Sequence, residues 1–220
     1  MYYPFMLFNT AIDHQPLFRN LNGDPFVVDL SWQSPLVATT NTRDQKQFQK
    51  VLEEQMAPNY SWGFSPYLER RDTLLADCPQ MAAEKRYIHL GLDIIVPVDT
   101  PLHTPLNAVV AKTGFEEGEG NYGGFVLLRH AGRRFEPFYS FYGHLNRGSL
   151  PATGRSLAAG ERFAAIGDFP DNGNWFHHTH FQIITEKGLA AGYLSKGYCT
   201  EQDLASINDL CPSPVPLFRR

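Results

Sequence analysis

Four side chains of the kinds that bind metals occur in two short motifs, at spacings found on β-strands. His178 and His180 are two residues apart, and His89 and Asp93 are four apart. On a strand, side chains at these separations point to the same face of the sheet. If neighbouring strands carry the two pairs, three imidazoles and a carboxylate share one patch, and such nitrogen and oxygen ligands suit zinc. Three of these ligands with a water would make a catalytic zinc site.

A further histidine, His144, lies between these motifs in the segment 142–145, which is predicted to be a strand. One histidine of the first set is not needed as a ligand, so the patch would also hold groups for proton transfer. His103 and His130 stand alone, and surface or capping roles are expected for them. His177 should face away from the site, because adjacent residues on a strand point to opposite faces.

The cysteines do not indicate a disulfide framework. The chain has three, Cys78, Cys199 and Cys211, which are too few for such a scaffold. Cys199 and Cys211 could pair across a short loop, but free thiols are favoured. No pair has zinc-finger spacing, so a metal would be held by histidine and carboxylate.

The elements that must position these residues are mostly short strands. From residue 87 onward, apolar runs are interrupted by Pro and Gly, and strands are predicted at 89–98, 108–112, 124–130, 138–145, 162–166 and 178–185. Strands at this spacing are typical of an antiparallel sandwich or barrel. The sequence therefore predicts a mainly β fold, with an antiparallel β-sandwich or barrel-like core over residues 86–190.

Helices are predicted on both sides of this core. Thr42 and Gln45 form a capping-box start for one helix, and Ser65 before Pro66 starts a second that runs toward residue 75. Thr200 caps a short last helix. Residues 1–85 are thus an N-terminal extension with helices, which could act as a lid or a docking segment. Residues 191–220 are a C-terminal helix and tail packed on the core.

Composition and charge exclude some partners. The 220 residues carry a formal net charge of −4, with 43% hydrophobic and 19% charged residues, so we expect no nucleic acid partner. No run approaches the roughly 20 apolar residues of a membrane span. The N-terminal apolar stretch lacks the Lys or Arg of a secretory signal. A cytoplasmic location is expected, or a periplasmic or secreted one if a leader has been removed.

Three motifs in this order resemble the lysostaphin-type zinc peptidases, also called glycyl-glycine endopeptidases. They are His89-Leu90-Gly91-Leu92-Asp93, Tyr142-Gly143-His144-Leu145 and His178-Thr179-His180-Phe181. The turn at 96–102, the glycine-rich hairpin at 120–124 and the turn at 157–160 are also similar to the family's. The resemblance covers roughly residues 86 to 186, and it implies a core of the duplicated hybrid motif type.

The resemblance implies that His89, Asp93 and His180 ligate one zinc ion per chain and that His144 and His178 are the catalytic pair. The implied activity is that of a zinc metalloendopeptidase (a hydrolase) acting on peptides, with peptidoglycan cross-links as the substrate class. One alternative is a non-catalytic or regulatory zinc-binding module. Another is a hydrolase of small intracellular peptides or amides, because residues 62–86 look more like domains joined to pyridoxal-phosphate aminotransferases than like secreted lysins. Phosphate-carrying domains of related fold are a third possibility, but they need no zinc ligands.

Overall fold

The computed structural model describes residues 14–118, 120–133 and 135–218. Residues 1–13 of the predicted N-terminal extension and residues 219–220 of the predicted tail lie outside the described residues.

The described chain is mainly β, which confirms the predicted fold class. The strands are β1 (Phe26–Val27), β2 (Gly63–Ser65), β3 (Ile88–His89), β4 (Leu92–Ile95), β5 (Pro101–His103), β6 (Ala108–Glu116), β7 (Gly123–Gly132), β8 (Phe135–Leu145), β9 (Ser156–Leu157), β10 (Arg162–Ala165), β11 (Thr179–Thr185) and β12 (Tyr198–Cys199). The α-helices are α1 (Pro35–Thr39), α2 (Gln45–Met56), α3 (Pro79–Glu84), α4 (Glu186–Ala190) and α5 (Ile207–Leu210).

One sheet of eight strands forms the body of the molecule, in the order β1-β2-β4-β11-β8-β7-β6-β9. Strands β1 and β2 are parallel, and every other neighbouring pair is antiparallel. Two smaller sheets pair β5 with β10 and β3 with β12. The predicted strand at 89–98 is therefore divided into β3 and β4, which belong to different sheets.

Apolar side chains cover both faces of the central strand β11. It is buried up to its last residue, as expected for a strand enclosed between two layers. On one face Phe181 stacks on Tyr142, with ring centroids 5.2 Å apart. On the other face Ile184 packs in a cluster with Phe141 and with Ile207 of the C-terminal segment. This enclosure holds the polar residues at the start of β11 in fixed positions.

The helix predicted after residue 42 is confirmed as α2, although its cap differs. The side chain of Asp44, and not of Thr42, accepts a hydrogen bond from the backbone nitrogen of Gln47 at 3.0 Å. Gln45 instead donates from its side chain to the Thr42 carbonyl at 2.6 Å. The helix buries three apolar side chains at helical spacing, Phe48, Leu52 and Met56.

The predicted helix from Ser65 to residue 75 does not form. Ser65 is the last residue of β2 and pairs with Asp93 of β4. Leu68 has a φ of 62°, which is incompatible with a right-handed helix. A serine followed by proline can end a strand as well as begin a helix, and pairing with β4 decides the outcome here. The turns that follow carry Glu69 and Arg71 toward the sheet.

The last predicted helix is present in shortened form. Thr200 accepts a hydrogen bond from the backbone nitrogen of Asp203 through its hydroxyl, at 3.3 Å. One 3-10 turn, Gln202–Ala205, follows, and then α5. No helix within the described ranges is long and apolar enough to cross a membrane.

The surface role predicted as one option for His103 and His130 is wrong, because both side chains are buried. His130 donates from Nδ1 to the carbonyl of Asn107 at 3.1 Å, and its Nε2 accepts from the hydroxyl of Ser140 at 2.7 Å. Burial lowers the pKa of His130 to about 4. The imidazole is therefore neutral in the folded protein near neutral pH.

Replacing His130 with Asn should make the protein less sensitive to acid. A histidine whose pKa is about 4 when folded and about 6.5 when unfolded stabilises the fold above pH 6.5, and this contribution is lost as the pH falls toward 4. Between pH 7 and pH 5 the wild type should lose about 2 kcal/mol of unfolding free energy through this group. Urea unfolding at both pH values, with a metal chelator present, measures the difference. Equal acid sensitivity in the two proteins would contradict this account.

Candidate metal centre

The sheet register brings two of the predicted ligands together. His180 of β11 lies directly opposite Asp93 of β4. Ser65 of β2 lies opposite Asp93 on its other side, so three polar residues form a row across the sheet. His89 reaches the same point from β3, which pairs with β12. Backbone pairing across three strands therefore determines the position of Asp93.

Gly91, in the break between β3 and β4, allows the His180 ring to approach the backbone closely. A Cβ atom at position 91 would lie 2.5 Å from Cε1 of His180. No side chain fits at that distance, since carbon atoms in contact need more than 3 Å. The glycine is therefore required by the position of the imidazole.

Three donor atoms form a nearly equilateral triangle. Nε2 of His89 is 3.0 Å from Nδ1 of His180 and 3.1 Å from Oδ1 of Asp93, and the remaining side measures 3.1 Å. All three side chains are buried. Zinc bonds of about 2.0–2.1 Å in tetrahedral geometry separate neighbouring ligand atoms by about 3.3 Å. The triangle therefore fits a zinc ion after a small outward movement of the donors.

In His89 and His180, the ring nitrogen that points away from the triangle (the outer nitrogen) has a hydrogen-bond acceptor as its partner. This partner determines that the nitrogen within the triangle (the inner nitrogen) carries a lone pair. His89 donates from Nδ1 to the carbonyl of Pro66 at 3.0 Å. Nε2 of His180 faces Oε1 of Gln182 at 2.9 Å, and the amide nitrogen of Gln182 is turned toward the Lys196 carbonyl. Both inner nitrogens of neutral rings are consequently acceptors. Burial lowers the pKa of His89 to about 3, so two lone pairs and a carboxylate face one another, and a cation is what satisfies them.

Arg71 holds the second oxygen of Asp93. Its Nη1 is 2.7 Å from Oδ2 of Asp93 and 3.1 Å from the hydroxyl of Tyr198. Its Nε donates to Glu69 at 2.7 Å and its Nη2 to Ser65 at 2.8 Å. Burial would raise the pKa of the Asp93 carboxyl, but the neighbouring His89 and Arg71 side chains hold it well below its usual range. Asp93 is thus an ionised carboxylate with one oxygen directed at the two histidines.

His144 and His178 form a second pair of imidazoles beside this group. Their ring centroids are 4.3 Å apart. His144 donates from Nδ1 to the carbonyl of Asn172 at 2.8 Å, and His178 donates from Nδ1 to that of Phe176 at 2.7 Å. Burial lowers the pKa of both, to about 4 for His178. Each ring therefore presents an unprotonated Nε2, the atom that a general base uses.

A bulge in β8 directs His144 to this position. Three residue steps in β8 oppose two in β7 between the pairs Val126–Tyr142 and Gly124–Leu145. His144 sits in the extra step with a φ of 64°. Such a conformation costs on the order of 1–3 kcal/mol for a residue other than glycine, and it occurs often at functional sites. The bulge turns the side chain toward His178, as bulges next to active sites commonly do.

These side chains line a cavity of about 190 Å³. Asp93, His144, His178 and His180 contribute to its surface, while His89 lies behind them. Its other walls come from α3 and the following turn, from the hairpin before β7 and from the segment before β12, with Met81, Arg86, Tyr122, Ser195 and Gly197 among the contributing residues. His177 pairs with Asp168 at 3.0 Å and is not among the residues that line the cavity. The predicted site residues thus meet at one concave surface.

Sequence reasoning missed the residues that surround the predicted ligands. Arg71 was hidden because the segment after Ser65 was interpreted as a helix, which gives no reason for a guanidinium to reach Asp93. Arg86 belongs to no motif, and Tyr122 lies in the glycine-rich hairpin at 120–124, of which no side chain was assigned to the site. Gln182 was detectable, since it lies two residues after His180 on the same strand face.

In this mainly β domain, two imidazole nitrogens and a carboxylate oxygen converge at a cavity beside two further histidines. This arrangement is typical of the metal sites of metallohydrolases. Residues 87–191 match the family model described as peptidase family M23. This match confirms the predicted resemblance over that part of the chain. No curated protein sequence matches the chain.

Solved structures similar to this chain include other peptidases. A zinc-containing peptidase from Vibrio cholerae has 19% identity and a TM-score of 0.36, covering 45% of this chain and 28% of that one. The solution structure of lysostaphin has 19% identity and a TM-score of 0.37, with coverage of 46% and 38%. The catalytic domain of lysostaphin from Staphylococcus simulans has 14% identity and a TM-score of 0.37, with coverage of 54% and 79%. This chain spans well under half the length of the first two proteins.

Purified protein should carry about one zinc ion per chain, since one group of three converging donors is present among the described residues. His89→Ala and His180→Ala should each reduce the zinc content to background after dialysis, because each removes a ligand. Elemental analysis measures the ratio of metal to protein. His177→Ala is the matched control, an imidazole outside the donor group that should leave the zinc content unchanged. Full zinc retention in both ligand variants would rule out this donor set.

Replacing Arg71 with Met should destabilise the metal-free protein by about 3–5 kcal/mol, because it leaves buried carboxylates without their charged partner. Added zinc should recover part of this loss, since the ion supplies positive charge at the other oxygen of Asp93. Urea unfolding with chelator and with excess zinc gives both values. A zinc-induced gain no larger in Arg71→Met than in the wild type would show that Arg71 does not share the charge of Asp93 with the metal.

Proposed function

We propose that this chain is a zinc-dependent peptidase whose metal is held by His89, Asp93 and His180. The observation that carries the proposal is the convergence of three donor atoms at a cavity that also presents Nε2 of His144 and Nε2 of His178. A site that served only to hold a structural metal would need four protein ligands and no such neighbours. Three ligands and a pair of bases are what hydrolysis requires.

Zinc bound at this site would polarise a peptide carbonyl and lower the pKa of a bound water to about 7. Side chains of the protein then transfer the protons and position the substrate. We assign His178 as the general base, because its Nε2 lies 3.7 Å from Oδ1 of Asp93. The carboxylate stabilises the imidazolium that forms when His178 accepts a proton from the attacking water.

His144 completes this arrangement on the other side of His178. The hydrogen bond from its Nδ1 to Asn172 fixes the ring with Nε2 toward the cavity. In this proposal the proton that His178 takes from the water passes to Nε2 of His144, whose ring centroid lies 4.3 Å from that of His178, and from there to the leaving amine. The burial of both rings favours their neutral forms before reaction, so each can accept a proton without first losing one.

The substrate class that the family suggests is a peptide, and peptides derived from peptidoglycan are the first candidates. The regulatory-module alternative receives less support, because all three ligand positions and both additional histidines are present and meet in space. The cavity of about 190 Å³ is small for a polymer, which favours short released peptides over intact cell wall as substrate.

The zinc-loaded wild type should hydrolyse at least one member of a panel of muropeptides, glycine peptides and D-amino-acid peptides, detected by mass spectrometry. His144→Ala should retain zinc and lose roughly 10²–10⁴-fold in rate, the usual contribution of one acid–base group. His177→Ala, the adjacent imidazole outside the cavity, should keep its activity. Absence of cleavage across the panel by the zinc-loaded wild type would favour the non-catalytic alternative.

A further inference from the structure

Two buried arginines line the cavity, and they differ in their partners. Arg71 has a hydrogen-bond partner for each of its three nitrogens. The side chain of Arg86 is 9% exposed, and its Nη1 has no hydrogen-bond partner within the described part of the chain. Its Nε lies 2.8 Å from Glu84, but the geometry does not make a hydrogen bond. The Glu84 side chain is 57% exposed, so this pair gives a weak interaction.

The local backbone explains how Arg86 reaches the cavity. Helix α3 ends at Glu84, and Lys85 adopts a left-handed conformation with a φ of 54°. The backbone nitrogen of Arg86 then donates to the Met81 carbonyl at 3.0 Å. The reversal at Lys85 directs the chain, and Arg86 with it, from the helix toward the sheet.

A second unpartnered donor lines the same cavity. The hydroxyl of Tyr122 is buried, and no hydrogen-bond partner for it exists among the described residues. Burial raises the pKa of Tyr122 well above its usual range, while the charge of Arg86 acts in the opposite direction. Tyr122 is therefore a neutral phenol, and it lines the same cavity as Arg86. Gly197 keeps the space beside this hydroxyl open, because a Cβ there would lie 2.6 Å from it.

The balance of charge around the cavity leaves Arg86 without a buried counterion. The charge of Asp93 is already paired with Arg71. Glu116, the other acidic residue that lines the cavity, is half-buried. The ion pair of Arg86 is with Glu84 and not with Glu116. A buried guanidinium with an unused N–H is costly unless a ligand supplies an acceptor.

We propose that Arg86 and the Tyr122 hydroxyl form a carboxylate-binding subsite, so that the substrate is a short peptide whose free carboxyl terminus is bound there. This inference rests on the proposed peptidase function and specifies its substrate class. A guanidinium matches a carboxylate through parallel N–H bonds, and a phenol adds a third donor. The bond that is cleaved then lies within the last few residues of the peptide.

The shape of the site agrees with this orientation. The volume of about 190 Å³ is below the roughly 300–1,000 Å³ of pockets that enclose drug-sized ligands. A wider depression adjoins it and shares Gln80, Gly120 and Trp175 with it, but Arg86 does not line that depression. The preceding residues of a peptide can occupy the depression while its carboxyl terminus reaches Arg86.

The test compares peptides that differ only in the terminal group. Tripeptides of glycine, L-alanine and D-alanine, each as the free acid and as the C-terminal amide, are titrated calorimetrically into zinc-free and zinc-loaded protein. The acid of at least one sequence should bind about tenfold to a hundredfold more tightly than its amide, as expected for a charge-assisted hydrogen bond. Arg86→Gln should reduce this ratio to near unity, and Arg86→Lys should retain part of it. Arg129→Gln, which alters a surface arginine paired with Glu186, is the matched control and should keep the full ratio.

The zinc-free titration separates the contribution of Arg86 to peptide affinity from that of the metal, because a carboxylate can also bind zinc directly. Equal affinity for acid and amide, a preference that survives Arg86→Gln, or absence of binding by every probe would each overturn the subsite. If Arg86→Gln does not fold, as judged by thermal unfolding, Tyr122→Phe decides, with an expected loss of about threefold to tenfold in the ratio. Cleavage of acid and amide at equal rates would leave the peptidase function standing without the subsite. Arg86-dependent binding of acids that are never cleaved would leave the subsite standing without the peptidase function.

Discussion

The buried negative charge of Asp93 is the constraint on which the rest of the site depends. A carboxylate removed from water costs several kcal/mol unless both oxygens find partners. Arg71 satisfies Oδ2, while Oδ1 faces two imidazole nitrogens that carry lone pairs. The fold thus provides half of the compensation for this charge with its own arginine, and at the other oxygen it places a donor set that could hold a cation.

The same constraint explains why the segment before the peptidase-family domain is part of the site. Residues 87–191 match the family model, but Ser65, Glu69 and Arg71 precede that range. Ser65 is placed by the pairing of β2 with β4, and it contacts Arg71 directly. The large sheet therefore extends beyond the matched residues, and the environment of Asp93 is completed by residues outside them.

Each imidazole of the site is oriented by a partner on its outer side. Backbone carbonyls accept from His89, His144 and His178, and a glutamine oxygen accepts from His180. Such partners determine the tautomer and hold the ring in position for a metal or a proton. Burial lowers the pKa of His89, His144 and His178 and keeps these three rings neutral. The two arginines of the cavity differ in their hydrogen bonds. Arg71 donates to protein groups from all three of its nitrogens, whereas Nη1 of Arg86 has no partner among the described residues.

The sequence by itself determined the mainly β fold, and the order of its histidine and aspartate motifs indicated the family match, because short apolar runs and motif order are local properties of the chain. Alternation along a single strand did not bring His89 to Asp93, since the two residues lie in different sheets. The sequence also indicated α2, through apolar residues at helical spacing. It did not determine the division of 89–98 into two strands, the strand ending at Ser65, the bulge at His144 or the burial of His130. Pairing between segments distant in sequence decides each of these. Arg71, Arg86 and Tyr122 entered the site only in the tertiary structure, because a single guanidinium or phenol has no local pattern and acquires its role from the charges and hydrogen-bonding groups that the fold places beside it.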